Sequence, residues 1–367
     1  MKQTLKILLL TIFIFIAMDV LISFTLKIFE RHNRLPGIVQ YFEYGYSVPK
    51  KMENWEKNYS QWYDLTLENS LRDDALQTSQ KEFLSENPDQ GPVIRVYGMS
   101  FVDQIVDEAM EIRPKTLFPN LKADKHSSAG APPNYSFMIY NSDRENRNRG
   151  DIAILGILSS SVLAMNSMSN SAWSFEHPLP FTYPIYWPEE QGLRTIEPLI
   201  YSRRDVVSLS TDTSFRKKWY DQLRRHDAYF TSVAFAFPWM DVSPFVRLIR
   251  RWNVTSRFEK LSAKGIEKSA YPYKEVLNEF VVNFAETARS DGQIPIVFLI
   301  QARPTDVDLK NLLQAKLEDH NIRYFATIDH FNPTDPTGFV KDGHFKKHIN
   351  AMLAENFLVM LLQDLKD

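Results

Sequence analysis

The stretch Val93-Ile94-Arg95-Val96-Tyr97-Gly98-Met99-Ser100-Phe101 decides the fold. Its first five residues are β-branched or aromatic around one arginine and are bounded by glycines at 91 and 98, the pattern of a short strand. A helical pattern follows at once over residues 102–112, so the chain passes from strand to helix at Ser100. The same grammar recurs further along. Residues 151–158 (DIAILGIL), 294–300 (IPIVFLI) and 322–328 (IRYFATI) are short, nearly continuous apolar runs, the kind buried on both faces of a parallel sheet. Helical patterns at 102–112, 273–289, 306–320 and 349–365 lie between or after them. Strands alternating with helices predict a layered α/β fold. A weaker second strand is expected near residues 116–123, before a helix opened by Pro132-Pro133. Residues 135–140 also fit a strand, and the sequence leaves the two open.

Upstream of this body the chain changes character. Residues 5–29 are almost wholly apolar, interrupted by Asp19, Lys27 and a few Ser and Thr, and about 20 such residues span a bilayer core. A cleaved signal peptide and a buried core helix are the competing explanations. No small-x-small site follows, which favours a retained anchor over residues 1–30. Lys2 and Lys6 precede the segment while Lys27, Arg31 and Arg34 follow it, so the positive-inside rule nearly ties on orientation. Residues 31–90 are polar and aromatic and are expected to form a stem or lid, with an amphipathic helix across 54–84 presenting Trp55, Tyr59, Trp62 and Leu65. A formal net charge of −2 gives no reason to expect a nucleic-acid partner. The absence of cysteine excludes disulfides, thiolate metal sites and a cysteine nucleophile together.

In an open parallel sheet, ligands bind beyond the carboxyl ends of the strands, so the residues just after each strand matter most. Ser100 stands there, at a helix N-terminus, where a hydroxyl can attack and a backbone N–H can face an oxyanion. A serine in this place also serves as an ordinary helix cap. Its hydroxyl would need a general base. Asp342-Gly343-His344, after the 322–328 run and before the last helix, supplies a carboxylate close enough to orient an imidazole. The same triplet fits a turn with an Asx cap and a surface histidine. His330 and His348 are nearby rivals. Gly130, before Pro132-Pro133, can present an open amide or simply form a loop. Ser159, Ser160 and Ser161 follow the 151–158 run at the same edge.

The order of these elements resembles the SGNH, or GDSL-like, hydrolase family over about residues 91–367, with a long insertion at about 165–271. The resemblance implies a three-layer, flavodoxin-like α/β sandwich with a five-stranded parallel sheet, hydrolysing esters of lipids or carbohydrates through a Ser-His-Asp system. Carried over, Ser100 is the nucleophile, His344 the base and Asp342 its orienting carboxylate. The amides of Ser100 and Gly130 help bind the oxyanion, with Ser160 at the third donor position. Two positions depart from the family pattern. Met99 stands where the first block usually has Asp, and Leu158 with Ser160 replace the Gly-x-Asn of the third. A serine hydroxyl has a shorter reach than an amide, and losing one oxyanion donor costs about a hundredfold to a thousandfold in turnover. The tight Asp-x-His spacing is similar to the branch containing alginate O-acetylation proteins. It implies O-acyl groups, chiefly O-acetyl, on a carbohydrate or lipid of the cell envelope, and a body outside the cytoplasm.

The insertion is rich in rings: Trp173, Phe175, Phe181, Tyr183, Tyr186 and Trp187, with Trp239 further on. Trp173, Tyr183 and Trp187 are candidates for stacking on a sugar or lining an acyl groove, although clustered aromatics also build core. Glu176-His177-Pro178 fits a site contribution or a loop. The basic run 247–251 (RLIRR) reads as a solvated helix face, or as a contact for anionic headgroups. None of the eight histidines forms a His-Glu-x-x-His pair, and no Gly-rich phosphate loop occurs, so neither a metal nor a nucleotide cofactor is expected. The expectation is a membrane-anchored serine esterase. The alternatives are a non-catalytic scaffold or polysaccharide binder of the same fold, and an O-acyltransferase using the same residues.

Overall fold

The computed structural model describes residues 2–77, 92–114, 120–190 and 192–364. Among the described residues the α-helices of eight residues or more are, in chain order, α1 (Lys2–Arg31), α2 (Pro36–Glu43), α3 (Val48–Asn58), α4 (Ser60–Ser70), α5 (Ser100–Ile112), α6 (Pro133–Ser142), α7 (Arg203–Thr211), α8 (Thr213–His226), α9 (Pro244–Ser262), α10 (Tyr273–Ser290), α11 (Leu309–Asp319) and α12 (Lys347–Asp364). The strands are β1 (Val93–Gly98), β2 (Lys122–Ser127), β3 (Ile152–Leu158), β4 (Ile185–Glu189), β5 (Gly192–Ile196), β6 (Ile294–Ile300) and β7 (Arg323–Ala326). Five of them form one sheet in the order β2-β1-β3-β6-β7, every neighbouring pair parallel. The fold is therefore α/β on a five-stranded parallel sheet, with an apolar N-terminal helix ahead of it.

β1, β3 and all but the first residue of β6 are buried throughout, which is why β3 and β6 read as unbroken apolar runs and β1 as one interrupted only by Arg95. β2 behaves differently. It lies at 122–127, overlapping only the last two residues of the expected 116–123, and residues 115–119 fall outside the described residues. Its sequence, Lys-Ala-Asp-Lys-His-Ser, is mostly polar and half-exposed, as suits an edge strand held by backbone pairing with β1. Residues 135–140 are helical, in α6, and their burial on every side removes the amphipathic pattern that would have declared them. The 322–328 run ends as a strand at Ala326 and turns through Thr327–Asp329.

Two helix groups pack on the sheet. α5 and α12 lie against each other, and α10 contacts both α6 and α11. The strand order reverses at β1 and β3, since the chain leaves β1 for β2 on one side and returns to β3 on the other. Their carboxyl ends thus flank the crevice where such sheets bind ligands. Close packing is needed here. A Cβ on Gly156 of β3 would stand 2.7 Å from Val102 Cγ2 and 3.3 Å from Gly98 Cα, so a glycine lets α5 settle onto the sheet. At the opposite edge the buried Arg95 donates to Asp151 at 2.8 Å and Asp124 at 2.6 Å, tying β1 to its neighbours.

Residues 31–77 pack onto the body. Val48, Tyr63, Leu67 and Leu71 join the main core, and the Ser128 hydroxyl donates to Ser70 Oγ at 2.9 Å. The expected helix across 54–84 breaks at Tyr59, which takes a non-helical conformation between α3 and α4. The break rotates the helical phase, so Tyr63 and Leu67 face inward while Tyr59, Trp62 and Leu65 are exposed. Residues 78–84 lie outside the described residues. The insertion carries the antiparallel pair β4–β5 and helices α7 to α9.

Candidate functional site

Ser100 is the first residue of α5, and the cap position belongs to Met99, an extended residue whose side chain makes no capping bond. Met99 is completely buried beside the Gly98–Gly156 contact. Freed from capping, the Ser100 hydroxyl stands 2.7 Å from His344 Nε2. The two residues are 244 positions apart. They meet because α12 packs along α5, with Asn350 donating to Gln104 at 3.1 Å, so the loop entering α12 lies over the start of α5.

That loop is a tight turn. Phe339 and Phe345 pair as a bridge, the Val340 amide donates to the His344 carbonyl at 2.9 Å, and Gly343 takes φ +93°, a conformation that favours glycine. The turn brings Asp342 Oδ1 to 3.1 Å from His344 Nδ1, and the same oxygen accepts from the His344 backbone amide at 3.1 Å. The amide bond, with the imidazole contact, holds the Asp342 carboxyl below its ordinary pKa. With Nδ1 facing a carboxylate, the tautomer assigned to neutral His344 carries its proton on Nδ1 and leaves Nε2 free to accept from Ser100. Phe101 stacks on the imidazole at 4.6 Å and 21°, backed by Phe345, which itself packs against Phe331 and Phe339. His344 is half-buried, whereas Asp342 remains largely exposed.

Gly130 sits in an exposed loop at φ +60°, and the loop is fixed at both ends of the crevice. The Ser128 amide donates to the Gly98 carbonyl at 3.3 Å, and the Ser161 hydroxyl donates to the Ala131 carbonyl at 3.1 Å. Ser159 is buried: its hydroxyl donates to Asp306 at 3.2 Å and accepts from the Ala302 amide at 3.3 Å. Ser160 between them is exposed at the same sheet edge. In the first turn of α5 the Val102 and Asp103 amides donate to the Met99 carbonyl at 2.9 and 3.3 Å, which leaves the Ser100 and Phe101 amides at the helix N-terminus to face an anion forming near Ser100. The site can therefore carry a proton from a hydroxyl to an imidazole and offer backbone donors beside it.

The rivals lie elsewhere. His330 stacks on Phe325 at 4.9 Å and burial lowers its pKa, while His348 is exposed on α12. Among the described residues no group of three or more His, Asp or Glu side chains stands where it could hold a metal. Trp173 packs edge-on against Tyr229 at 4.8 Å, Trp187 packs against Tyr271 at 5.3 Å, and Tyr183 is completely buried next to Phe181. Ser100 and His344 are not among the ring partners of these three side chains. Glu176 pairs with Arg251 at 2.7 Å, and His177 meets Tyr44 edge-on. A cleft of about 630 Å³ between α3, α4 and the insertion has none of the Ser100 site residues in its lining. Phe101 and Arg303 were not among the candidates read from sequence. Arg303 reaches the turn, with a guanidinium nitrogen 3.8 Å from where a Cβ on Gly343 would stand. It stands three residues after the end of β6, so its place beyond a strand was a usable signal. Phe101 carried none beyond lying next to Ser100.

No family model, no curated protein and no solved structure matches this chain.

Proposed function

We propose that this chain is a membrane-anchored serine ester hydrolase of the SGNH type, its α/β body a three-layer flavodoxin-like sandwich. α1 is long and apolar enough to cross a membrane, and in this proposal it spans the bilayer with the body outside the cytoplasm. The observation that carries the proposal is the continuous contact from Ser100 Oγ through His344 to Asp342, at 2.7 and 3.1 Å, at the crevice where the strand order reverses.

In the mechanism, Ser100 Oγ attacks an acyl carbonyl as His344 Nε2 takes its proton, and the oxyanion forms against the Ser100 and Phe101 amides at the head of α5. Asp342 supports the imidazolium through Nδ1. Collapse expels the alcohol, which takes the proton back from His344 and leaves an acyl ester on Ser100. Water, deprotonated by His344, then releases the acid. The substrate class is an acyl ester, chiefly O-acetyl, of an envelope carbohydrate or lipid. That choice rests on the Asp-x-His resemblance and the anchor. A carbohydrate hydroxyl in place of water would make the same site an acyltransferase.

The test is a fluorophosphonate probe on the detergent-solubilised full chain, with the label located by mass spectrometry. Labelling at Ser100 that disappears in Ser100→Ala and falls at least about a hundredfold in His344→Ala supports catalysis, a general base being worth about that much or more. A folded chain that is not labelled refutes it and leaves the scaffold or binding role.

A further inference from the structure

Segment 236–252 is built inside out. Its charged side chains turn inward: Asp241 accepts from the Ser47 hydroxyl at 2.6 Å and pairs with Arg250, Arg247 is buried with its guanidinium 4.6 Å from the centre of the Tyr46 ring, and Arg251 is held by Glu176. The run 247–251 is therefore not a solvated basic face. Its apolar side chains turn outward instead, with Trp239 72%, Val242 78%, Ile249 64% and Trp252 68% exposed. Phe237 is also exposed and is held at φ +53°, a backbone state uncommon for a bulky residue, where the chain turns into this projection.

The patch continues onto α1. Asp19 accepts from the Phe245 amide at 3.1 Å, the Ser23 hydroxyl donates to the Val242 carbonyl at 3.0 Å, and Phe15 meets Phe245 edge-on at 5.9 Å. These contacts fix how far the body reaches down the apolar helix. Ser23 lies about 6 Å and Phe15 about 18 Å before Lys27, at 1.5 Å of rise per residue. Were the patch held in water, only residues 5–14 of α1 would remain beyond the contact, about 15 Å of helix against a hydrocarbon core of about 30 Å.

From this we infer that Phe237, Trp239, Val242, Ile249 and Trp252 form a second, monotopic membrane contact, immersed in the leaflet on the body's side next to α1. The occupant of the patch is lipid: tryptophans suit the interfacial level, the outward face carries no unpaired charge from this segment, and the surface is continuous with a helix of membrane length. The inference rests on α1 spanning the bilayer. It adds that the body is seated at a fixed depth and orientation rather than swinging on a tether.

The absence of cysteine makes the test clean. Nitroxide labels on Val242→Cys, Ile249→Cys, Ile14→Cys and Val359→Cys, each in the full chain reconstituted in phosphatidylcholine nanodiscs, report whether oxygen or a water-soluble nickel chelate reaches the site more readily. Val359 on α12 is exposed and is the water reference. Val242 and Ile249 are expected to favour oxygen, as Ile14 does, with the sign of the ratio reversed at Val359. If Ile14 favours oxygen while Val242 and Ile249 match Val359, the patch is in water and this inference falls alone. If Ile14, Val242 and Ile249 all match Val359, the anchor and the patch fall together. If only Ile14 matches Val359, α1 does not span the bilayer and the inference that rests on it is overturned.

Discussion

Gly156→Ala joins the packing of the sheet to the chemistry at Ser100. The new methyl would stand 2.7 Å from Val102 Cγ2 and 3.6 Å from Met99 Cε, with Gly98 Cα at 3.3 Å on the strand beside it. Carbon atoms settle at about 3.5–4.0 Å, so about 1 Å of movement is required. β3 cannot supply it, because β1 and β6 pin it on both sides. A helical valine has essentially one rotamer, so α5 must shift outward. Overpacking of this kind costs about 1–3 kcal/mol. It also moves Ser100, at the head of α5, away from His344: a 2.7 Å contact lengthened by that amount passes beyond hydrogen-bond range. Fluorophosphonate labelling should slow about tenfold to a hundredfold, up to the lower bound of about a hundredfold that a general base contributes, because the displaced base is weakened and not removed. Val102→Ala removes the methyl group that clashes and alone costs about 1–3 kcal/mol as a cavity. The double variant should then show favourable coupling of at least about 1 kcal/mol and recover labelling. Urea denaturation and labelling rates of the four proteins in detergent measure both. If Gly156→Ala stays within about 0.5 kcal/mol of the parent, the ordinary range for a neutral surface change, or if the double variant shows no coupling, the close-approach argument is wrong.

Asp342→Asn should slow labelling less than His344→Ala, by about tenfold against a hundredfold or more, because Asp342 is largely exposed and water can share its task. Labelling rates across pH 5 to 9 for both variants check the ranking, and equal losses would refute it. Asp103, in the first turn of α5, has its pKa raised to about 6 by burial, against a Ser127 hydrogen bond of 2.7 Å that lowers it. The stability this group contributes is complete below the unfolded value of about 3.9 and is lost as pH rises through about 6. Asp103→Asn should remove that slope, leaving the variant more stable than the parent at pH 7 than at pH 4 by up to about 3 kcal/mol. Chemical denaturation of both proteins at pH 4 and 7 tests the sign, and a parent that gains on the variant as pH rises would overturn it.

What the sequence determined by itself was the class of fold and the strands at its centre. β1, β3 and β6 are buried on almost every residue, so burial writes itself into composition as a nearly continuous apolar run. The apolar length of α1 was equally legible, because bilayer thickness sets a residue count. β2 was placed too early because an edge strand takes its stability from backbone pairing, which any residue can supply. The helix α6 stayed ambiguous because burial all round erases periodicity. Ser100 and His344 each had an everyday alternative in the sequence, and their 2.7 Å contact exists only because α12 lies along α5. The basic run at 247–251 misled for a related reason. Whether an arginine meets water, a carboxylate or a ring depends on which element packs over it, and here Gly45 and Tyr46 in the turn between α2 and α3, with Glu176 of the insertion, supply the partners. Local pattern records how much of a segment is buried. Which segments bury each other, and which side chains meet where they do, is decided only when distant parts of the chain are brought into contact.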